Sequence, residues 1–408
     1  MQDGTTMQES WGRAQVAVAA ALFLCLFAAQ AGLIVLTPVL SQVANDLDVS
    51  TATAGQLRTV SGLTAGLAAV ALGTFARSLS LRRTMFAGAG GLALASVASA
   101  AAPSFAVLVL AQMLLGLSVA ALLIGGTVAA AEWVPTQHRT RVLSWALIGP
   151  PAAWIVGMPL IGVIGEIGWR WAWLVFPLAA AGMAGAAVAQ RPEAPRAGES
   201  ESLVEALRDP PTARWVLGEL FGSASWVGTL VFSGALFTES YGVTSVVTGL
   251  VLAAGAAAFA AGNVYFRRLV ECRARVMIVR LSLLLAVGIV LFGVVRPALW
   301  VSAVLFAAAA FVAGGRQLIG SAVGLESAPE QRRAVVGARA AGTQLGYFLG
   351  AAVGGAAVAE GGYSLFGLAL ALLSVASALP FLLHFHGHSD TTLRAALLKP
   401  ACGAGRGL

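Results

Sequence analysis

The sequence predicts an all-α membrane protein of twelve transmembrane helices, arranged as two parallel six-helix repeats. Three observations carry this. First, 58% of the 408 residues are apolar, only 11% are charged, and the mean hydropathy is +0.85, whereas a soluble domain carries about 25% charged residues. Second, twelve apolar runs approach the roughly 20 residues that a helix needs to cross the hydrocarbon core. Third, the pattern Glu-x-x-Pro-x-x-x-Arg occurs at Glu132–Arg139 and returns 194 residues later at Glu326–Arg333. The offset then holds, because Glu166, Gly168 and Trp169 correspond to Glu360, Gly362 and Tyr363. Self-similarity at a fixed period marks a duplicated unit, and two copies nearly fill the chain.

The runs are approximately 14–40, 53–76, 84–102, 105–131, 141–164 and 171–190 in the first copy. The second copy has 214–237, 245–266, 276–295, 298–324, 334–358 and 363–385. Ala, Leu and Gly dominate and no ten-residue alternation suggests a barrel, so helices are the expected spanning structure. The run 14–40 is too long for a signal-peptide core and is preceded by little basic charge beyond Arg13, so no cleavable leader is expected. Between the copies lies a polar stretch with Pro192, Pro195, Pro210 and Pro211. The expected organisation is a six-helix half at 14–190, a linker at 191–213, a second half at 214–386 and a tail at 387–408.

Loop charge predicts the orientation. With the N-terminus inside, 21 of the 25 Lys and Arg residues fall on the inner side, only Arg170 and Arg296 fall outside, and Arg58 and Arg316 lie within spans. Trp169, Trp171, Trp173 and Trp300 then mark the outer boundary, and Trp133 and Trp215 the inner one, as an aromatic belt. The net charge of +7 and pI of about 10.1 follow from this loop bias and do not imply a nucleic-acid partner. The expected location is a bacterial inner (cell) membrane, multi-pass, with both termini cytoplasmic; the near-absence of lysine fits a GC-rich genome.

Each copy holds an even number of helices, so both enter the membrane with the same orientation. Parallel six-helix repeats are one of the few known transporter plans, with substrate held between the halves. Several segments carry a more specific signal. The segment from Gly73 through Arg77, Ser80, Arg82 and Arg83 follows the second run, and a degraded copy runs from Gly262 through Arg267, Arg268, Arg273 and Arg275. The fifth run holds Gly149-Pro150 and Val156-Gly157-Met158-Pro159-Leu160, and a Gly168-Trp169-Arg170 turn follows it. On these residues the chain resembles the major facilitator superfamily over essentially its whole length, and within it the twelve-helix drug:proton antiporter and sugar-efflux branch. The first segment stands where that family has a Gly-x-Leu-Ala-Asp-Arg-x-Gly-Arg-Arg loop, the residues of the fifth run are similar to its antiporter motif, and the turn is also typical. The resemblance implies gating loops at Gly73, Arg77, Arg82, Arg83, Glu132, Arg139, Glu326 and Arg333. It also departs: Arg77 replaces the family's loop aspartate, Gln112 replaces the arginine of the fourth helix, and the first helix has no acidic residue.

Ionisable groups inside spans are expensive and are functional candidates by default. Arg316 sits about 15 Å deep at 1.5 Å per residue, and it needs an anion, from the substrate or from the protein. Glu219, about 7 Å in by the same measure, is a candidate proton carrier and a candidate partner for Arg316, since the resemblance puts the seventh and tenth helices at the cavity. Arg58 is a second coupling candidate, although snorkelling to headgroups explains it equally well. Gln30, Gln112, Gln317, Gln344, Tyr347 and Trp226 are mid-span groups suited to a mostly apolar solute or to helix–helix hydrogen bonds. Gly342, Gly346, Gly350 and Gly354 form a smooth stripe for close helix contact, and the resemblance implies that it faces the second helix, which carries Gly62 and Gly66.

Other chemistries are excluded or disfavoured. No P-loop is present, and Gly88-Ala89-Gly90-Gly91 lies within an apolar run with no preceding strand. His384, His386, His388 and Asp390 read as a solvated tail rather than a metal site. With three of four histidines there, a catalytic triad is hard to assemble, so no enzyme, no cofactor and no metal are expected. Cys25, Cys272 and Cys402 suggest no disulfide framework. The expected partners are a small-molecule substrate, the lipid bilayer and protons as coupling ion, with the chain a monomer. The expected function is alternating-access transport, as proton-coupled efflux of a small amphipathic or drug-like compound or metabolite. Uptake of an organic anion through Arg316, or a non-transporting membrane sensor or scaffold, are the alternatives.

Overall fold

The computed structural model describes residues 13–75, 80–134, 136–191, 193, 207–267, 270–327 and 332–382. Among the described residues each of the twelve apolar runs is helical over most of its length, and no strand occurs. Nine helices among them are long and apolar enough to cross a membrane. The first run is two helices, α1 (Arg13–Ile34) and α2 (Leu36–Asp46). Pro38 explains the break, because its ring removes the hydrogen bond to the carbonyl four residues back, at Ile34. The same logic divides the fifth run. Pro150 and Pro151 oppose Ala146 and Leu147, and α6 (Thr136–Ala146) ends before α7 (Gly149–Ile167) begins.

Between these lie α3 (Thr51–Phe75), α4 (Leu81–Ala100) and α5 (Phe105–Glu132), and α8 (Trp169–Ala189) follows. The second set comprises α9 (Pro210–Tyr241), α10 (Ser245–Phe266), α11 (Val270–Val294), α12 (Leu299–Ser327), α13 (Arg332–Ala376) and α14 (Leu379–Leu382). Asp209 starts α9: its carboxylate accepts from the Thr212 amide at 3.1 Å and the Thr212 hydroxyl at 2.7 Å, an N-cap. Although hydrogen bonding runs through α13, Gly361 and Gly362 interrupt it, with Gly362 at φ 61, ψ −160. Only glycine adopts that conformation readily, and the break separates the last two runs.

The 194-residue period reappears in the helix starts. Thr51 and Ser245 open α3 and α10, Phe105 and Leu299 open α5 and α12, and the breaks at Gly168 and Gly362 match. The caps repeat too: Ser50 Oγ accepts from the Thr53 amide at 3.1 Å, and Thr244 Oγ1 from the Val247 amide at 3.4 Å.

The helices alternate in direction, giving an arginine-rich end (Arg82, Arg83, Arg139, Arg267) and a far end (the turns at Asp48, Gly168, Gly242 and Gly362). The two sets meet along α3 against α13, α7 against α10 and α2 against α9. The glycine stripe corrects one expectation. Gly342, Gly346 and Gly350 pack on Val216, Leu220 and Ala224 of α9, within the second set. Gly62 and Gly66 of α3 do meet α13, but at Phe348 and Leu345. The stripe therefore ties α13 to α9, and the α3 seam uses another face of α13. The tryptophan belt is also narrower than expected. Trp171 and Trp300 are exposed, whereas Trp169, Trp173 and Trp215 are buried, because their indoles serve helix packing. Exposed Leu110, Val264 and Leu372 on the outside of the bundle suit a hydrocarbon surround.

Candidate functional site

Glu219, Arg316 and Arg339 meet where α9, α12 and α13 pack together. Glu219, Gly222 and Trp226 share one face of α9 at i, i+3 and i+7, turned toward α12. From α12, Arg316 donates through Nη1 to Glu219 Oε1 at 3.4 Å and through Nη2 to the Gly218 carbonyl at 2.7 Å. Its Nε donates to Ser282 Oγ at 3.0 Å. Ser282 is held in turn by Ser377 Oγ, 3.1 Å away, and its carbonyl accepts from Ser374 Oγ at 2.8 Å. Arg339 of α13 donates to the other Glu219 oxygen at 3.2 Å. The Glu219 and Arg316 side chains are 3% and 4% exposed, that of Arg339 29%. One carboxylate thus neutralises a buried guanidinium and shares a second, half-buried one.

Two glycines make room for the pair. A Cβ on Gly222 would lie 1.9 Å from Arg316 Cζ, and one on Gly320 would lie 2.2 Å from Glu219 Oε1. The guanidinium therefore lies flat across a bare strip of α9. The cavity beside it, lined by Glu219, Trp226, Arg316, Gln317 and Tyr347, measures about 20 Å³. That is room for about one water, not for a solute. Trp226 stacks between Phe259 (ring centres 6.0 Å apart) and Phe306 (5.8 Å), an apolar wall.

Arg58 does not snorkel. It is 4% exposed, with its guanidinium 4.8 Å from the centre of the Tyr347 ring across the α3–α13 seam. Its one hydrogen-bond acceptor among the described residues is Ser61 Oγ, at 3.2 Å. Gln344, one turn before Tyr347, is buried with its side-chain carbonyl unpartnered. The structure thus gathers Arg316, Glu219, Trp226, Tyr347 and Gln317 around one cavity, with Arg58 reaching it through Tyr347. It does not bring Gln30 and Gln112 there. Gln30 accepts from Trp154 Nε1 at 3.0 Å, and Gln112 donates to Ser99 Oγ at 3.3 Å, both within the first set.

Of the loop residues, Arg82 donates to the Arg191 carbonyl at 3.3 Å, and Arg82 and Arg83 both pair with Glu193, at 3.4 and 3.8 Å. They clasp the chain where it leaves α8. Arg139 donates to the Val134 carbonyl at 3.0 Å. Arg77 lies outside the described residues. The side chains of Gly73, Glu132, Glu326 and Arg333 do too, as do Cys402 and the His384–Asp390 run; Cys25 is buried and free.

The far end is shut by contacts that sequence reasoning missed. A Cβ on Gly234 of α9 would lie 1.8 Å from the Thr37 carbonyl of α2, and one on Gly249 of α10 would lie 2.4 Å from the Met158 carbonyl of α7. Glu166 of α7 accepts from the amides of Ser245 and Val246, at 2.7 and 3.4 Å, capping α10 from the other set. Gln42 donates to the Ser245 hydroxyl, and Thr51 to Glu239, which also accepts from Tyr363 at 2.8 Å. Among the described residues, α1, unlike α2, has at most marginal contact with α9. Glu166 carried a signal as a repeat marker; the Gly-x-x-x-x-Glu spacing of Gly234 and Glu239 carried none.

The sequence matches the family model of the Major Facilitator Superfamily over residues 22–314. The chain belongs to that superfamily. A curated relative, "Transcription regulatory protein OpdE" of Pseudomonas aeruginosa strain PAO1, is 26% identical over 290 residues, covering 65% of this chain and 68% of that protein. Among solved structures, a bacterial homologue of the human lysosomal transporter Spinster, in an inward-facing and occupied conformation, superposes with a TM-score of 0.72 at 15% identity, over 96% of this chain and all of that one. A D-xylose–proton symporter gives a TM-score of 0.66 at 15% identity, over 90% and 96%. Superfamily members of this fold are multi-pass transporters, not enzymes.

Proposed function

We propose that the protein is a secondary active transporter working by alternating access, exporting a small amphipathic or drug-like compound or metabolite from a bacterial cell in exchange for protons. The observation that carries this reading is the polarity of closure. The two helix sets are in backbone contact at the far end, while the charged cluster and its aromatic wall lie deeper, toward the arginine-rich end. On the positive-inside rule the arginine-rich end is cytoplasmic, so in this state a solute reaches the cluster from the cytoplasm; export is the direction of the efflux branch that the sequence resembles. Glu219 is the coupling group. Arg339, the more exposed of its two partners, is the one that can swing away and leave the carboxylate to take a proton.

The test uses proteoliposomes. Glu219→Gln is expected to abolish solute movement driven by an imposed proton gradient while retaining exchange of solute for solute. Intact gradient-driven transport in that variant would remove Glu219 from coupling. Uptake of an anion at Arg316 is less favoured, because Glu219 already neutralises that guanidinium and the anion would have to displace it. A second reading, a membrane sensor, draws on the name of the relative from Pseudomonas. A reconstituted chain that exchanges no compound of a broad panel, with altered expression of transport genes in a deletion strain, would favour it.

A further inference from the structure

Three buried or half-buried guanidiniums surround Tyr347, and one carboxylate serves two of them. Arg316 and Arg339 share Glu219. Arg58 has no carboxylate within pairing distance among the described residues; a hydroxyl and an aromatic face are its partners. A charge in a membrane interior is costly unless it is paired, and a cation–π contact of about 2 kcal/mol does not make up that deficit. A bound anion would supply the partner that the described residues do not.

We infer that Arg58, with Tyr347 and Gln344, is the seat for the acid group of the transported compound, which is an organic anion with a flat apolar body. The inference rests on the transport reading and names its substrate class. Tyr347 joins the two parts of the site: one side of its ring faces Arg58, and the residue also lines the cavity beside Trp226 and Gln317. Gln344, on the same side of α13, is buried with its side-chain carbonyl unpartnered; exchanging the two ends of the amide would turn its NH2 to a carboxylate or sulfonate. The aromatic wall of Trp226, Phe259 and Phe306 takes the apolar body. Arg58 belongs to the first helix set and the wall to the second. A bound anion would therefore bridge the two sets, as a transported solute must, whereas Arg316 and Glu219 both belong to the second.

Two measurements test this on purified protein in neutral detergent. The first is thermal stabilisation by 1-naphthoate, 1-naphthalenesulfonate and the uncharged 1-naphthamide. The acids are expected to stabilise the wild type and the amide to bind about tenfold more weakly, the worth of one charge-assisted contact. Arg58→Gln should erase that preference and Arg58→Lys keep part of it. No charge-dependent shift with either acid, or a preference that survives Arg58→Gln, overturns the proposal. The second needs no ligand. Removing an uncompensated charge should leave Arg58→Met melting at or above the wild-type temperature. A clear fall would mean that the guanidinium is satisfied within the protein, and would equally overturn it. Acids that bind through Arg58 but are not carried in counterflow would sink the transport reading and leave this site standing. Counterflow of neutral compounds alone would do the reverse.

Discussion

Glu219 and Arg316 are not equivalent members of an ion pair. Glu219 has a second cation in Arg339, whereas Arg316 has no second carboxylate among its partners. Removing one partner of a buried pair costs about 3–5 kcal/mol when the other is left uncompensated. Glu219→Met is therefore expected to lower the unfolding temperature in detergent much more than Arg316→Met, and equal losses would mean that Arg339 does not share the charge. The neighbouring glycines make a sharper test. Gly222→Ala places a methyl group within the Arg316 guanidinium and should abolish transport. Gly182→Ala, with open space around it, should leave transport intact and add up to about 1 kcal/mol of helix stability. Much of this cluster was legible in the chain, because Arg316 and Glu219 are the deep charges that an apolar run cannot hide. What could not be read was sharing. Arg339 looked like an ordinary inner-end arginine, and no spacing rule shows that two helices distant in sequence aim guanidiniums at one carboxylate. Gln112 failed to reach the cavity for a related reason: periodicity places it mid-span but not on a particular face of the bundle, and Ser99 holds its amide.

At the scale of elements, the duplication was the most readable feature. An offset found in two loop motifs also sets the starts of α3 and α10, of α5 and α12, and the glycine breaks at Gly168 and Gly362. Gly362 offers a test free of packing effects, since no atom would meet its Cβ. Its φ 61, ψ −160 geometry costs a non-glycine residue about 1–3 kcal/mol, so Gly362→Ala should destabilise the fold by that amount; an unchanged melting temperature would mean that α13 turns some other way. The glycine stripe on α13 was found by spacing but assigned to the wrong neighbour. Regular glycines announce a close helix contact without naming the helix, and the partner here is α9, in the same set. That attachment has a mechanical consequence: α9 and α13 carry Glu219 and Arg339 together, so a shift of the whole set preserves their spacing and only the Arg339 side chain can break it.

At the scale of the whole molecule, which end of the bundle is shut was not legible at all, because a transporter has one sequence for both of its states and the difference between them is a small free energy. The far-end seal mixes polar and apolar contacts: Glu166 on the α10 amides, Gln42 on Ser245, Thr51 on Glu239, the backbone approach of α2 to α9 at Gly234, and the buried Phe232 ring of α9 against Gly55 of α3. Gly234→Val would force α2 from α9 and should favour the state open at the far end, read as faster thiol labelling of a cysteine placed at Ser245. The converse experiment decides whether the seam moves in the transport cycle. In a background with Cys25, Cys272 and Cys402 replaced by serine, Gln42→Cys and Ser245→Cys joined by a short cleavable thiol cross-linker should hold the far end shut. Solute exchange across the proteoliposome membrane should then stop, and cleaving the linker should restore it, while cavity ligands added from the arginine-rich side still bind. Undiminished exchange with the linker intact would mean that the solute passes without this seam parting, and the two helix sets would not be the moving bodies.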